Sequence, residues 1–179
     1  MKITIAGIPG SGKSTIAGLL AEKYSLKQYS MGGMRREYAI SKGISLEELN
    51  KLGENNFETD KFVDEFQKGL DSKNNFIVDG RLSYYFIPSS IKIFLTVSID
   101  DGALRIFNSY RKEEKYSNFE ETKIKLIERI KSDKKRYSKY YGINPYDKKH
   151  FDIVMTTSNK TLDETFKILV DEIETFKRN

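Results

Sequence analysis

The sequence predicts an α/β protein of P-loop NTPase type. Its three layers (α/β/α) enclose a five-stranded parallel sheet, and two helical lid insertions interrupt the sheet's crossovers. Three observations predict it. Five short apolar, β-branched runs alternate with stretches of helical period, the pattern of a parallel sheet covered on both faces. Gly7-Ile8-Pro9-Gly10-Ser11-Gly12-Lys13-Ser14 reads G-x-x-x-x-G-K-[ST] between the first strand and the first helix. Two helical blocks are longer than simple crossovers require.

In order, residues 2–6 (with Ile3, Thr4 and Ile5) suit a buried strand, and 14–23 place Ile16, Leu19 and Leu20 at helical spacing. A short strand is expected at 26–29 and a helix at 31–42, stopped by Gly43. Ser45-Leu46-Glu47-Glu48 is a capping box opening a helix at 45–52 that ends at Gly53. Phe62, Val63, Phe66 and Leu70 form one stripe of a helix at 57–70. Strands follow at 75–79, closed by Gly80, and at 91–97; a helix covers 100–111. A long charged helix at 119–141 is stopped by Gly142 and Pro145. A strand at 152–155 and an amphipathic helix at 162–177 complete the chain. It reads as one domain, 1–179, with insertions at about 31–72 and about 111–141. Both insertions are expected at the carboxyl edge of the sheet, where open α/β sheets bind ligands, as movable covers over the P-loop.

Composition narrows the function classes. With 179 residues, 38% hydrophobic and 32% charged, the chain can build one core under a wet surface. A net charge of +5 suits an anionic small substrate as well as nucleic acid. There is no cysteine, which excludes disulfides and thiol catalysis, and the single histidine, His150, excludes multi-histidine metal sites. No leader-like or membrane-length apolar run appears, so a cytoplasmic monomer without membrane or nucleic-acid partners is expected.

In a P-loop, glycines let successive backbone N–H groups face an anion, and the helix N-terminus adds about half a positive charge. Gly7 to Ser14, with Thr15, would cradle the phosphates of ATP. Lys13 would reach the β/γ-phosphates, facing solvent until they arrive, and the Ser14 hydroxyl would hold Mg²⁺. Asp79-Gly80-Arg81 closes the third strand: Asp79 would orient Mg²⁺-bound water, and Arg81 would point into the cleft, unless the segment is only a capped turn. Ser30-Met31-Gly32-Gly33-Met34-Arg35-Arg36 follows the second strand. Its adjacent arginines diverge by about 100° on a helix, so at most one is expected to point inward. Arg129, Asp133 and Arg136 share a face of the long helix, either as a ligand-facing set or as a surface ion-pair ladder. Tyr137, Tyr140 and Tyr141 are expected to pack on the sheet end. Thr156-Thr157-Ser158 could offer backbone groups to a purine ring.

In this order the motifs resemble the nucleoside monophosphate kinases, and most closely the compact archaeal-type cytidylate kinases. Gly43-Ile44-Ser45-Leu46-Glu47-Glu48 and Tyr137-x-x-x-Tyr141-Gly142-Ile143 extend the resemblance over nearly the whole chain. It implies an ATP- and Mg²⁺-dependent phosphoryl transfer to CMP or dCMP, giving ADP and the diphosphate. By the same resemblance Ser30, Arg36, Asp79, Arg81 and Asp133 bind the acceptor, with Arg36 rather than Arg35 on its phosphate. Lys13, Arg129 and Arg136 act on the transferring group. Two positions depart from the family near the acceptor base: Gly33 stands where an acid is usual, and Ser83-Tyr84-Tyr85 is bulkier than usual. Arg111 comes later than the usual lid spacing. Two alternatives stay open: an adenylate kinase-like enzyme, and a nucleotide-switched RNA or ribosome-assembly factor. The lysines of 131–139 are the feature that favours the second.

Overall fold

The computed structural model describes residues 1–109 and 116–178. Arg111 and the first residues of the second insertion lie outside the described residues. Five parallel strands run in the order β2-β3-β1-β4-β5, with β1 Lys2–Gly7, β2 Lys27–Ser30, β3 Phe76–Asp79, β4 Ile91–Thr96 and β5 Ile153–Thr156. The helices are α1 Lys13–Tyr24, α2 Met31–Ser41, α3 Leu46–Gly53, α4 Glu58–Leu70, α5 Ser83–Phe86, α6 Ile99–Asn108, α7 Phe119–Tyr141 and α8 Leu162–Arg178. The short α5 and a single 3-10 turn at Lys148–His150 were not legible as elements in the sequence. Asn75, expected to open β3, instead takes φ 58°, so the strand starts one residue later.

Strand alternation sorts the core onto two faces. Ile3, Ile5, Ile77, Ile93 and Leu95 point to the side covered by Ile16, Leu20, Leu169 and Ile173 of α1 and α8. Ala6, Phe76, Val78 and Phe94 point the other way, onto Leu70, Ile87, Tyr137 and Phe151. Fully burying a side chain such as Ile5 or Ile77 stabilises the fold by about 1.5–3 kcal/mol. Tyr137 and Tyr141 pack on this second face as expected, while Tyr140 rests on Phe57.

Register brings the chemistry to one edge. Ser30 pairs with Asp79, and Ile5 with Asp79 on its other side, so the ends of β2, β3 and β1 open together beneath the P-loop. Both long blocks rise from this edge: α2 to α4 between β2 and β3, and α7 between β4 and β5. The blocks touch. Lys125 of α7 donates to Glu47 at 3.0 Å, Lys135 to Glu54 at 2.6 Å, and Lys139 to the Glu54 carbonyl at 2.9 Å. No described helix is long and apolar enough to cross a membrane.

Candidate active site

The P-loop is held by glycines where a side chain would not fit. Gly7 has φ 145°, and a Cβ there would lie 2.1 Å from the Leu95 carbonyl oxygen. Gly10 has φ 82° and presses on α6, with a Cβ falling 2.4 Å from the Gly102 carbonyl oxygen. The loop therefore rests on β4 and α6, with the Ile8 N–H donating to the Leu95 carbonyl at 3.1 Å and the Ser11 N–H to the Ile8 carbonyl at 3.2 Å.

Lys13 differs from its expected solvent-facing position. Its Nζ donates to the carbonyls of Ile8 at 2.8 Å and Gly7 at 3.1 Å, so the ammonium lies folded across its own loop. The physical reason is local: the Gly7 and Ile8 carbonyls lie within reach of the side chain six and five residues on, and their dipoles attract the ammonium. Burial, and next the positive charge of Arg81, hold the ammonium pKa well below its ordinary value, against the pull of Asp79.

Asp79 is 4% exposed at the end of β3. Its Oδ1 accepts from the hydroxyls of Ser14 and Ser30, both at 3.1 Å. Its Oδ2 is buried with no hydrogen-bond partner. Burial raises its pKa, opposed by Lys13, the two serine hydroxyls and Arg36. An orphaned carboxylate oxygen beside a P-loop serine is a hard-oxygen set that fits Mg²⁺, which takes one or two protein oxygens and fills its shell with water and phosphate. No group of three or more histidine or acidic side chains gathers to hold a metal among the described residues. Ser30 also caps α2, accepting from the Gly33 N–H at 3.1 Å. A side chain at Gly33 would crowd that serine, at 3.3 Å from its Cβ.

Beyond Asp79 the cleft becomes a buried ion network. Arg81 pairs with Asp133 and donates to the Tyr146 hydroxyl, which itself donates to Asp133 at 2.8 Å. Arg136, 1% exposed, meets Asp133 and Asp60 at 3.2 Å each, the Tyr137 hydroxyl at 2.9 Å and Asn50 at 3.1 Å. Arg35 pairs with Asp60 and donates to Asn50 at 3.2 Å and to the Thr59 carbonyl at 3.0 Å. Burial favours neutral Asp133, but Arg81, Arg136 and Arg129 outweigh it and hold the carboxyl below its usual range. Burial likewise opposes charge on Arg81, yet Asp133 and Tyr146 raise its pKa above the ordinary value.

Two expectations change here. Arg35 and Arg36 were not expected to reach the same site, yet both line this cleft. Their divergence lets Arg35 sink between α3 and α4 while Arg36 stays half-buried by the P-loop and Asp79. The face of Arg129, Asp133 and Arg136 is turned inward, not a surface ladder, but Asp133 is not its only anion. Asp60 of α4 neutralises Arg136, a pairing across 76 residues that periodicity within either helix could not reveal. Asn50, Asp60, Asp64, Gln67 and Tyr146 were missed for the same reason.

A second cavity of about 370 Å³ opens on the other side of the loop, between Gly10, Gly12, Thr15, Arg105, Thr157 and Lys160. Thr157 does not offer its carbonyl freely: Arg105 donates to its Oγ1 at 2.8 Å and to its carbonyl at 2.7 Å. His150 is exposed and stacks on Tyr84, whose ring also packs on Phe151.

Residues 2–159 match the model of the cytidylate kinase-like family. A cytidylate kinase of Sulfurisphaera tokodaii is 39% identical over 174 residues, covering 94% of this chain and 93% of the relative. Those of Methanopyrus kandleri and Methanocaldococcus jannaschii are each 34% identical over 183 residues, covering 96% and 99% of this chain and 92% and 100% of the relatives. Among solved structures, shikimate kinase from Bacteroides thetaiotaomicron superposes with a TM-score of 0.67 at 13% identity, covering 97% of this chain and 98% of that one. Shikimate kinase from Aquifex aeolicus gives 0.57 at 20% identity, covering 97% and 96%. These two likenesses speak for the fold alone.

Proposed function

The chain belongs to the cytidylate kinase-like family, and on that premise we propose that it transfers the γ-phosphoryl group of ATP to CMP or dCMP, with Mg²⁺ bound. The observation that carries this reading is the meeting of a P-loop, an orphaned Asp79 oxygen and five arginines in one cleft. Phosphoryl transfer needs positioning and charge neutralisation more than covalent chemistry, and this cleft supplies both.

In this reading the P-loop from Gly7 to Thr15 cradles the donor phosphates, with its N–H donors from Gly10 onward, and the adenosine lies toward the cavity between Arg105 and Thr157. Lys13 exchanges the carbonyls of Gly7 and Ile8 for phosphate oxygens. Ser14 would hold Mg²⁺ and Asp79 would hold its waters, and the ion would supply positive charge against the donor phosphates. Ser30 and Arg36 hold the acceptor, with Arg36 on its phosphate. The acceptor cleft has only about 100 Å³ of free space, below the 300–1,000 Å³ of ordinary ligand pockets. Its ion pairs must therefore part. Arg81, Arg129 and Arg136 would trade Asp133 and Asp60 for phosphate oxygens, which guanidinium forks take two at a time. Asp133 is then released toward a ribose hydroxyl. The blocks at 31–72 and 111–141 act in this reading as acceptor-binding and lid insertions.

Neither alternative gains support. Of the lysines of 131–139, Lys135 and Lys139 are engaged with Glu54, just after α3. The direct test is ADP release from ATP and Mg²⁺ with CMP present. CMP-dependent release that Lys13→Ala abolishes supports the reading; ATP hydrolysis stimulated by RNA and indifferent to CMP would replace it.

A further inference from the structure

The acceptor cleft contains four buried carboxylates, and three of them are accounted for. Asp60 meets Arg35 and Arg136, Asp133 meets Arg81 and Arg136, and Asp79 accepts from Ser14 and Ser30. Asp64 is the exception. It is 7% exposed, lines the cleft, and forms no ion pair among the described residues; its hydrogen bond comes from the Tyr141 hydroxyl to Oδ2. Three residues on, hence on the same face of α4, Gln67 is 3% exposed and also lines the cleft. The Ser83 hydroxyl donates to Gln67 Oε1 at 2.6 Å. That bond fixes the amide with its NH₂ left over, and no described residue accepts from it. Around the pair stand Met31, Val63, Leu82 and Tyr137, apolar walls of the kind a flat ring needs. Arg36 stands beside Asp79, and Arg81 and Arg129 beside Lys13, on the P-loop side of the cleft.

One unpaired acceptor and one unpaired donor, side by side between apolar walls, form a reading head for the edge of a base. We propose that Asp64 and Gln67 select cytosine: Asp64 accepts from the 4-amino group, and the Gln67 amide NH₂ donates to the 2-carbonyl. The inference rests on the kinase reading above and adds the residues that choose the base. Cytosine offers an amino donor at position 4, which carboxylates accept from in base recognition. Uracil offers a carbonyl oxygen there, which would face the Asp64 carboxylate with no proton between them. Burial, aided by Asp60 and opposed by Tyr141, Lys68 and Arg35, pushes the Asp64 carboxyl up to about 6.

The test combines substrate changes with conservative variants. Wild-type enzyme is assayed with CMP, UMP and the monophosphate of 2-oxopyrimidine riboside, which lacks the 4-amino group. Both of the latter should show kcat/KM at least about tenfold below CMP, since a site built to hydrogen-bond a group rejects analogues lacking it. Asp64→Asn keeps an acceptor for Tyr141 yet gives position 4 a donor. It should shift the UMP-to-CMP ratio of kcat/KM at least about tenfold toward UMP. Gln67→Met should raise KM for CMP and UMP alike, because both carry the 2-carbonyl, and leave the KM for ATP unchanged. Melting temperature verifies that each variant folds. A 2-oxopyrimidine substrate as good as CMP, or an unchanged ratio in folded Asp64→Asn, overturns the base-reading role while the kinase reading stands. Wild-type enzyme that fails to phosphorylate CMP overturns the reading beneath it.

Discussion

Adjacent arginines on α2 illustrate how position rather than residue type divides structure from binding. Arg35 is sealed beside Asp60, and breaking a buried pair by removing one partner typically costs about 3–5 kcal/mol. Arg35→Ala should therefore lower the unfolding free energy by about that amount, read by urea denaturation. Arg36→Ala should cost less stability than Arg35→Ala and raise the acceptor KM at least about tenfold. Equal effects on stability would remove the distinction. Asp64 supports a pH prediction. Its carboxyl titrates near 6 in the folded protein, raised by burial, and near 4 when unfolded. Between those values the folded state holds the extra proton, so this group's contribution to stability falls as pH rises from about 4 to about 6 and is flat above. Asp64→Asn should flatten that part of the stability profile and be the more stable protein at pH 7. A steeper profile in the variant would contradict the assignment.

At the scale of the element, α7 had two open readings in the sequence. Arg129, Asp133 and Arg136 all line the cleft, and Arg136 also braces α7 against Asp60 of α4. Arg136→Ala should thus cost several kcal/mol as well as rate, and Arg129→Ala should lower kcat at least about tenfold. Helix spacing predicted the shared face because period and side-chain direction are local. The partners on α3 and α4 were not legible, since nothing in either segment encodes which helix it will meet. The P-loop shows the opposite case. Gly10 and Gly12 carry the same φ of 82°, yet a Cβ at Gly10 strikes the Gly102 backbone and one at Gly12 meets nothing within 4 Å. Gly12→Ala should cost only the left-handed backbone, about 1–2 kcal/mol, while Gly10→Ala should also raise the ATP KM by displacing the loop from α6. Identical KM values for the two variants would refute the contact as the cause.

For the whole molecule, the sheet was the most legible part of the sequence. Alternation of buried strand and covering helix fixes a parallel α/β architecture, and the P-loop marks its functional edge. The cleft's charge balance was not legible, because it is made by side chains from α2, α3, α4, α7 and the segment after β3 that meet only in the folded chain. That balance sets Arg35, Arg81 and Arg136 against Asp60 and Asp133, and under the proposed function phosphates would replace those carboxylates. The base it accepts is the central claim. The most direct measurement is a competition in which equimolar CMP, UMP, AMP and GMP meet limiting ATP and Mg²⁺, with the diphosphates separated and counted over time. CDP should form first and dominate over UDP and GDP until CMP is consumed, with ADP from the donor rising in step with it and AMP left unconsumed; AMP lost faster than CMP, or UDP or GDP outpacing CDP, would contradict the account.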